Sequence, residues 1–131
     1  MVTYYRLSRD KIKFRVLSSQ TGHIIKDRVL TAPATYNYFS GLQANANQVV
    51  VTIIQQGDYP EVLLVYDMES LLSETADQDI TPRVVKIGQP GYRVLRIALN
   101  KTSVSVLLES YGDVKTLKFT TLDFWICENG A

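Results

Sequence analysis

Val49-Val50-Val51-Thr52-Ile53-Ile54 and Val62-Leu63-Leu64-Val65-Tyr66-Asp67, separated by Gln55-Gln56-Gly57-Asp58-Tyr59-Pro60-Glu61, decide how the chain folds. The first arm is five β-branched apolar residues and one Thr, and the second is apolar up to its closing aspartate. Short apolar runs bounded by turn residues read as strands covered on both faces. Gln56-Gly57-Asp58 supplies the turn, and Pro60 withholds a ladder hydrogen bond beside it. A buried hairpin at the middle of the chain is therefore the expectation, and the flanking sequence reads as variations on it.

Upstream, Val2 to Leu7 reads as a strand and Ser8-Arg9-Asp10 as its turn. Lys11 to Leu17 alternates strictly, with Ile12, Phe14 and Val16 on one side and Lys11, Lys13 and Arg15 on the other, which predicts a half-exposed strand. Ser18 to Gly22 is a polar turn, and His23 to Val29 reads as an edge strand carrying Lys26, Asp27 and Arg28. Thr31 to Ala34 links this part to a strand over Tyr36–Leu42, and Gln43 to Gln48 forms the turn before the hairpin. Downstream, Glu69 to Gln78 has room for one helical turn, but its acids point to an exposed loop. Arg83 to Ile87 is a short strand, and Gly88-Gln89-Pro90-Gly91 is a strong turn signal. Tyr92–Leu99, Ser103–Leu108 and Val114–Phe124 complete about ten strands, an all-β chain.

The chain has 131 residues, room for one domain with a modest core, and its 46% hydrophobic content argues against disorder. A net charge of +1 predicts neither nucleic-acid nor anionic-membrane binding through a global field. The charge is nevertheless uneven. Arg6, Arg9, Lys11, Lys13, Arg15, Lys26 and Arg28 crowd the first part, whereas Asp58, Glu61, Asp67, Glu69, Glu74, Asp77 and Asp79 face no nearby base in sequence. Each run reads either as a solvated face or as half of a contact between the two. Cys127 is the single cysteine, so no intrachain disulfide can form, which favours a reducing compartment, cytoplasmic or nuclear. No signal-peptide core and no run of membrane-spanning length is present.

Three places end a strand on an apolar residue followed by a polar one: Val16-Leu17-Ser18, Val65-Tyr66-Asp67 and Thr121-Leu122-Asp123. Before the last two lies the same succession of strand, polar turn, apolar strand, Gly-Asp turn and strand, over Tyr36–Asp67 and Tyr92–Asp123. Such repetition marks sheet units that cannot bury a face alone. In these features the chain resembles the WD40-type β-propeller. Tyr66-Asp67, Leu122-Asp123 and Leu17-Ser18 stand where that family usually ends a blade's third strand on Trp-Asp. Thr21-Gly22-His23-Ile24 resembles the turn into an outer strand, and Asn100-Lys101-Thr102 the turn between first and second strands. The resemblance implies about two and a half to three blades: the last three strands of one over 2–30, a full blade over 36–87, and the first three strands of another over 92–127. Since propellers need at least about four blades, it also implies that further blades come from a longer parent chain or a partner subunit. It implies too that the isolated chain is marginally stable or self-associates. A closed β-sandwich is the alternative fold.

The sequence offers little to catalysis. His23 is its one histidine, and zinc sites and Ser/His/Asp triads need more than that. Asp58, Glu61, Asp67, Asp113 and Asp123 sit where turns use aspartate or glutamate for local backbone hydrogen bonds. Gly88 to Gly91 lacks the Lys and Ser/Thr of a phosphate loop. The expectation is a non-enzymatic protein-interaction scaffold with no cofactor and no metal. The propeller resemblance places Thr31–Thr35, Gln55–Glu61, Gly88–Arg93 and Ser110–Asp113 on one face. That gathers Tyr59, Tyr92, Arg93 and Tyr111 as candidate partner-binding residues, tyrosine being a common interface anchor. Some WD40-type proteins recruit substrates to ubiquitin ligases beside an F-box, a role the resemblance brings into view. The alternative is a sandwich module that binds carbohydrate or another small ligand through the same tyrosines and Trp125.

Overall fold

The computed structural model describes residues 1–8, 10–33, 38–54 and 62–123. They form ten strands: β1 (Val2–Arg6), β2 (Lys11–Leu17), β3 (Ile24–Thr31), β4 (Tyr38–Ala44), β5 (Gln48–Ile54), β6 (Val62–Asp67), β7 (Arg83–Lys86), β8 (Tyr92–Leu99), β9 (Ser103–Ser110) and β10 (Leu117–Asp123). The all-β expectation holds. The strands pair antiparallel in chain order into three sheets, β1-β2-β3, β4-β5-β6-β7 and β8-β9-β10. The described residues build three stacked sheets, not the two of a sandwich.

The central hairpin explains the stacking. Alternation sends Val49, Val51, Ile53, Val62, Leu64 and Tyr66 to one side of the second sheet, where they pack with Ile12, Phe14 and Leu30 of the first. It sends Val50, Leu63 and Val65 to the other side, against Val94, Val104, Val106 and Leu108 of the third. A strand pair apolar on both faces needs a cover on each, and the flanking sheets provide one apiece. The first sheet keeps its polar alternation on the outside, where Arg15 lies opposite Asp27 and bonds it at 2.9 Å. That hydrogen bond holds the exposed Asp27 carboxyl below its usual range.

Strand direction is consistent through the stack. The Gln43 side chain on β4 bridges the edge of β8, donating to Ile97 C=O (2.9 Å) and accepting from Leu99 N–H (2.8 Å). Asn45 next to it donates to Asn100 C=O at 2.7 Å, so β4 and β8 end together. Arg6, at the close of β1, stands over Phe39 near the start of β4, 5.0 Å from the ring centre, so β1 runs opposite to β4. With antiparallel pairing throughout, β2, β6 and β10 then share one direction. Leu17, Asp67 and Asp123, the three repeated strand ends, lie at the same end of the stack.

Four local expectations are corrected. Glu69–Gln78 is not simply an exposed loop: α1 (Met68–Leu72) and a 3-10 turn at Asp77–Asp79 form there, because Leu71 and Ile80 find the first core. Gln43 belongs to β4 and not to a turn, since its backbone continues the pairing opposite Val50. The glycine within that strand, Gly41, marks a register shift, and a Cβ there would stand 3.1 Å from Thr52 Oγ1. The last strand begins at Leu117, not Val114, because Ser110 and Thr116 close the turn with each other, Ser110 N–H donating to Thr116 C=O at 2.9 Å.

The fourth correction concerns charge. β3 is an edge strand as its composition suggests, but Arg28 is only 4% exposed. Its guanidinium donates to the carbonyls of Leu71 (3.0 Å), Ser70 (3.4 Å), Ser73 and Thr75 and to the Asp77 carboxylate (2.9 Å). Asp77 in turn accepts the Val29 N–H at 3.2 Å, and Lys26 reaches Glu74 at 3.9 Å. The basic and acidic runs do meet, at this point.

Candidate functional site

The third sheet positions three of the four candidate residues at the end of the stack opposite Asp67. Tyr92 opens β8, lying opposite Ser110 at the close of β9, and Arg93 lies opposite Glu109. Tyr111 follows, its N–H donating to Gly91 C=O at 3.0 Å. The 31–33 segment is at the same end, tied by the Ala32 N–H to Asp10 C=O at 2.6 Å. Tyr59 lies outside the described residues.

The three residues differ in what they can do. Tyr111 is 57% exposed and presents its ring to solvent. Tyr92 is half-buried against the second core, and the Lys118 ammonium stands 5.7 Å from its ring centre while donating to Gln89 Oε1 at 2.8 Å. Arg93 is held across the strand pair by Glu109, through Nε at 2.9 Å and through Nη2. A cation fixed by a carboxylate in this way offers a partner little free charge. The surface is therefore carried by Tyr111, the Tyr92 edge and Lys118.

Gly91 sets this arrangement. Its φ of 81° is left-handed backbone that suits glycine, and its carbonyl is the anchor for Tyr111. Gly91→Ala is expected to cost about 1 kcal/mol in denaturant titration and to loosen Tyr111, visible as faster amide exchange at that residue.

Four neighbouring apolar residues escaped the sequence reading as site residues. Val114 (84%) and Leu117 (62%) are exposed in the segment that follows Tyr111, and Phe119 (68%) is exposed farther along β10, opposite half-buried Leu107. At the far end, the turn at Ala46-Asn47 and the start of α1 at Asp67, Met68 and Glu69 border an open depression of about 550 Å³. Among the described residues no group of three or more His, Cys, Asp or Glu side chains is placed to hold a metal ion, and no helix is long and apolar enough to cross a membrane.

No family model, curated protein or solved structure matches the chain. The reading of function rests on the geometry.

Proposed function

We propose that the chain is a non-enzymatic protein-interaction scaffold, built as part of a WD40-like β-propeller whose further blades come from a longer parent chain or a partner subunit. One observation carries the reading: a four-stranded meander is buried on both faces between two other meanders whose corresponding strands run the same way. Radial stacking of such units is how propellers bury sheet faces. The repeated strand ends Leu17, Asp67 and Asp123 agree with it, as does the second sheet standing as a complete four-stranded unit.

The binding face in this reading is the end that carries Tyr92 and Tyr111. Exposed Tyr111, at the same end as half-buried Tyr92 with Lys118 over its ring, suits a protein partner, where aromatic anchors supply most of the affinity. Recruitment of a substrate to a ubiquitin ligase is one such role, by analogy of fold alone. The test is partner capture by crosslinking in cells with the intact parent protein, comparing wild type with the Tyr92→Ala/Tyr111→Ala double variant. Loss of the captured proteins by about tenfold or more is expected. Capture that is unchanged in a correctly folded double variant would remove this face from consideration.

A further inference from the structure

The sheet edges of this molecule are not treated alike. The outer edge of β8 is occupied by the Gln43 side chain. That of β3 is capped by Asp77 through the Val29 N–H. β7 has only the four residues Arg83–Lys86, two of them charged, and β1 and β4 pack on each other. Covering, shortening and charging are the usual protections against edge pairing. Among the described residues β10 is neither covered nor short, and its seven residues carry only two charges, Lys118 and Asp123. It runs from Leu117 to Asp123, carries exposed Leu117 and Phe119, and nothing described pairs with its outer edge.

The orientation of its backbone follows from two hydrogen bonds. Ser110 N–H donates to Thr116 C=O (2.9 Å), so even-numbered residues of β9 and β10 point at each other. Asn100 N–H donates to Ser103 C=O (2.8 Å), so odd-numbered residues of β9 point to β8. The N–H and C=O groups of Leu117, Phe119, Thr121 and Asp123 are therefore directed at the free edge.

We propose that β10 pairs with β10 of a second copy of this chain, antiparallel about a twofold axis at Phe119. In that register Phe119 faces its own counterpart, Leu117 faces Thr121, and Lys115 faces Asp123, each twice by symmetry. Phe119, Leu117 and Thr121 all have their backbone groups on the open side, so the ladder closes over the strand, and Lys115, two residues before β10, lies at the end where Asp123 of the other copy arrives. Opposite charges meet at both ends. Slipping the register by two residues, to an axis at Thr120, would set Leu117 against Asp123 and leave Lys115 unmatched, so charge selects the first arrangement. The result is one continuous six-stranded sheet with Leu117 and Phe119 of both copies in an apolar strip. The second copy's β10 takes the place that β7 holds beside β6 in the middle sheet. This inference needs only the free edge and does not depend on the propeller reading.

Sedimentation of the full chain over a wide concentration range is expected to show a monomer–dimer equilibrium. Thr121→Pro removes an N–H that the monomer's own ladder does not use, a place where an edge strand tolerates proline. It should weaken association about tenfold or more, as should Phe119→Lys, while circular dichroism stays unchanged. Lys115→Glu and Asp123→Lys should each weaken the dimer, and together restore it. In a Cys127→Ser background, Phe119→Cys should form a covalent dimer on mild oxidation, because directly opposed hydrogen-bonded residues are about 5.5 Å apart at Cα. A monomer at every concentration overturns the proposal. So does association that survives both Thr121→Pro and Phe119→Lys, or crosslinking that is no faster at residue 119 than for Thr121→Cys. If dimerisation is lost in Thr121→Pro while partner capture through Tyr92 and Tyr111 persists, the two surfaces are separate.

Discussion

Arg28→Ala is expected to lower folding stability by about 3 kcal/mol in chemical denaturation. The guanidinium is the only described group bonded at once to the carbonyls of Ser70, Leu71, Ser73 and Thr75 and to the Asp77 carboxylate. Its loss strands several acceptors over the first sheet, where Leu71 and Ile80 are buried. A single neutral hydrogen bond contributes only about 1 kcal/mol net, but an acceptor left buried without a partner costs more. Arg28→Lys recovers little, because an ammonium cannot span acceptors spread around a planar fork. Amide exchange should accelerate over residues 68–79 in both variants. A loss below about 1 kcal/mol would mean that α1 and the 3-10 turn are held by Leu71 and Ile80 alone.

Phe14→Ala is expected to cost about 3–5 kcal/mol, the largest effect of any single core truncation considered. Phe14 is fully buried between the first and second sheets and meets the Tyr66 ring edge-on, with centroids 5.0 Å apart and planes at 65°. Truncation removes that contact and opens a cavity bounded by two sheets whose backbones are fixed by their ladders, so little collapse can fill it. Against a typical total of about 5–15 kcal/mol, that is enough to unfold a large share of molecules at moderate temperature. Phe14→Leu should cost markedly less, and Tyr5→Ala, on the exposed side of β1, should stay within about 0.5 kcal/mol. Equal losses for Phe14→Ala and Tyr5→Ala would show that the first sheet does not depend on this interface.

Strand positions were legible because period-two patterning is a local property. Ile12, Phe14 and Val16 announce a half-buried strand, and Val49–Ile54 with Val62–Tyr66 announce a doubly covered pair. The repeated strand ends were legible for the same reason. The role of Arg28 was not, since whether a cation on an edge strand meets water or four carbonyls is settled by a segment more than forty residues away in sequence. The helix over Met68–Leu72 was hidden in the same way, because Glu69, Glu74 and Asp77 make its stretch of sequence read as solvated, while the one leucine that anchors it, Leu71, is buried only by the distant first core.

At the candidate surface, Tyr92, Arg93 and Tyr111 lie at one end of one sheet, but what each of them touches needed the register. Glu109 opposite Arg93 turns an apparent free cation into an internal pair. The β10 strip was missed because apolar alternation ordinarily points inward. Here pairing with β9 places Lys118, Thr120 and Leu122 on the core side and Leu117 and Phe119 on the other. A sequence carries the alternation; only the partner strand says which side is which.

The doubly buried second sheet has a consequence for how the chain is made. Val50, Leu63 and Val65 have all been synthesised by the time Asp67 is added, and the first sheet, which covers the opposite face of the hairpin at Val49, Val51 and Ile53, precedes them. Their cover on the other face, Val94, Val104, Val106 and Leu108, is added later. At roughly 5–20 residues per second, translation leaves that face bare for a few seconds. During each round of synthesis, a half-wrapped, strongly β-forming hairpin is thus on offer to chaperones at the ribosome, before the third sheet closes over it.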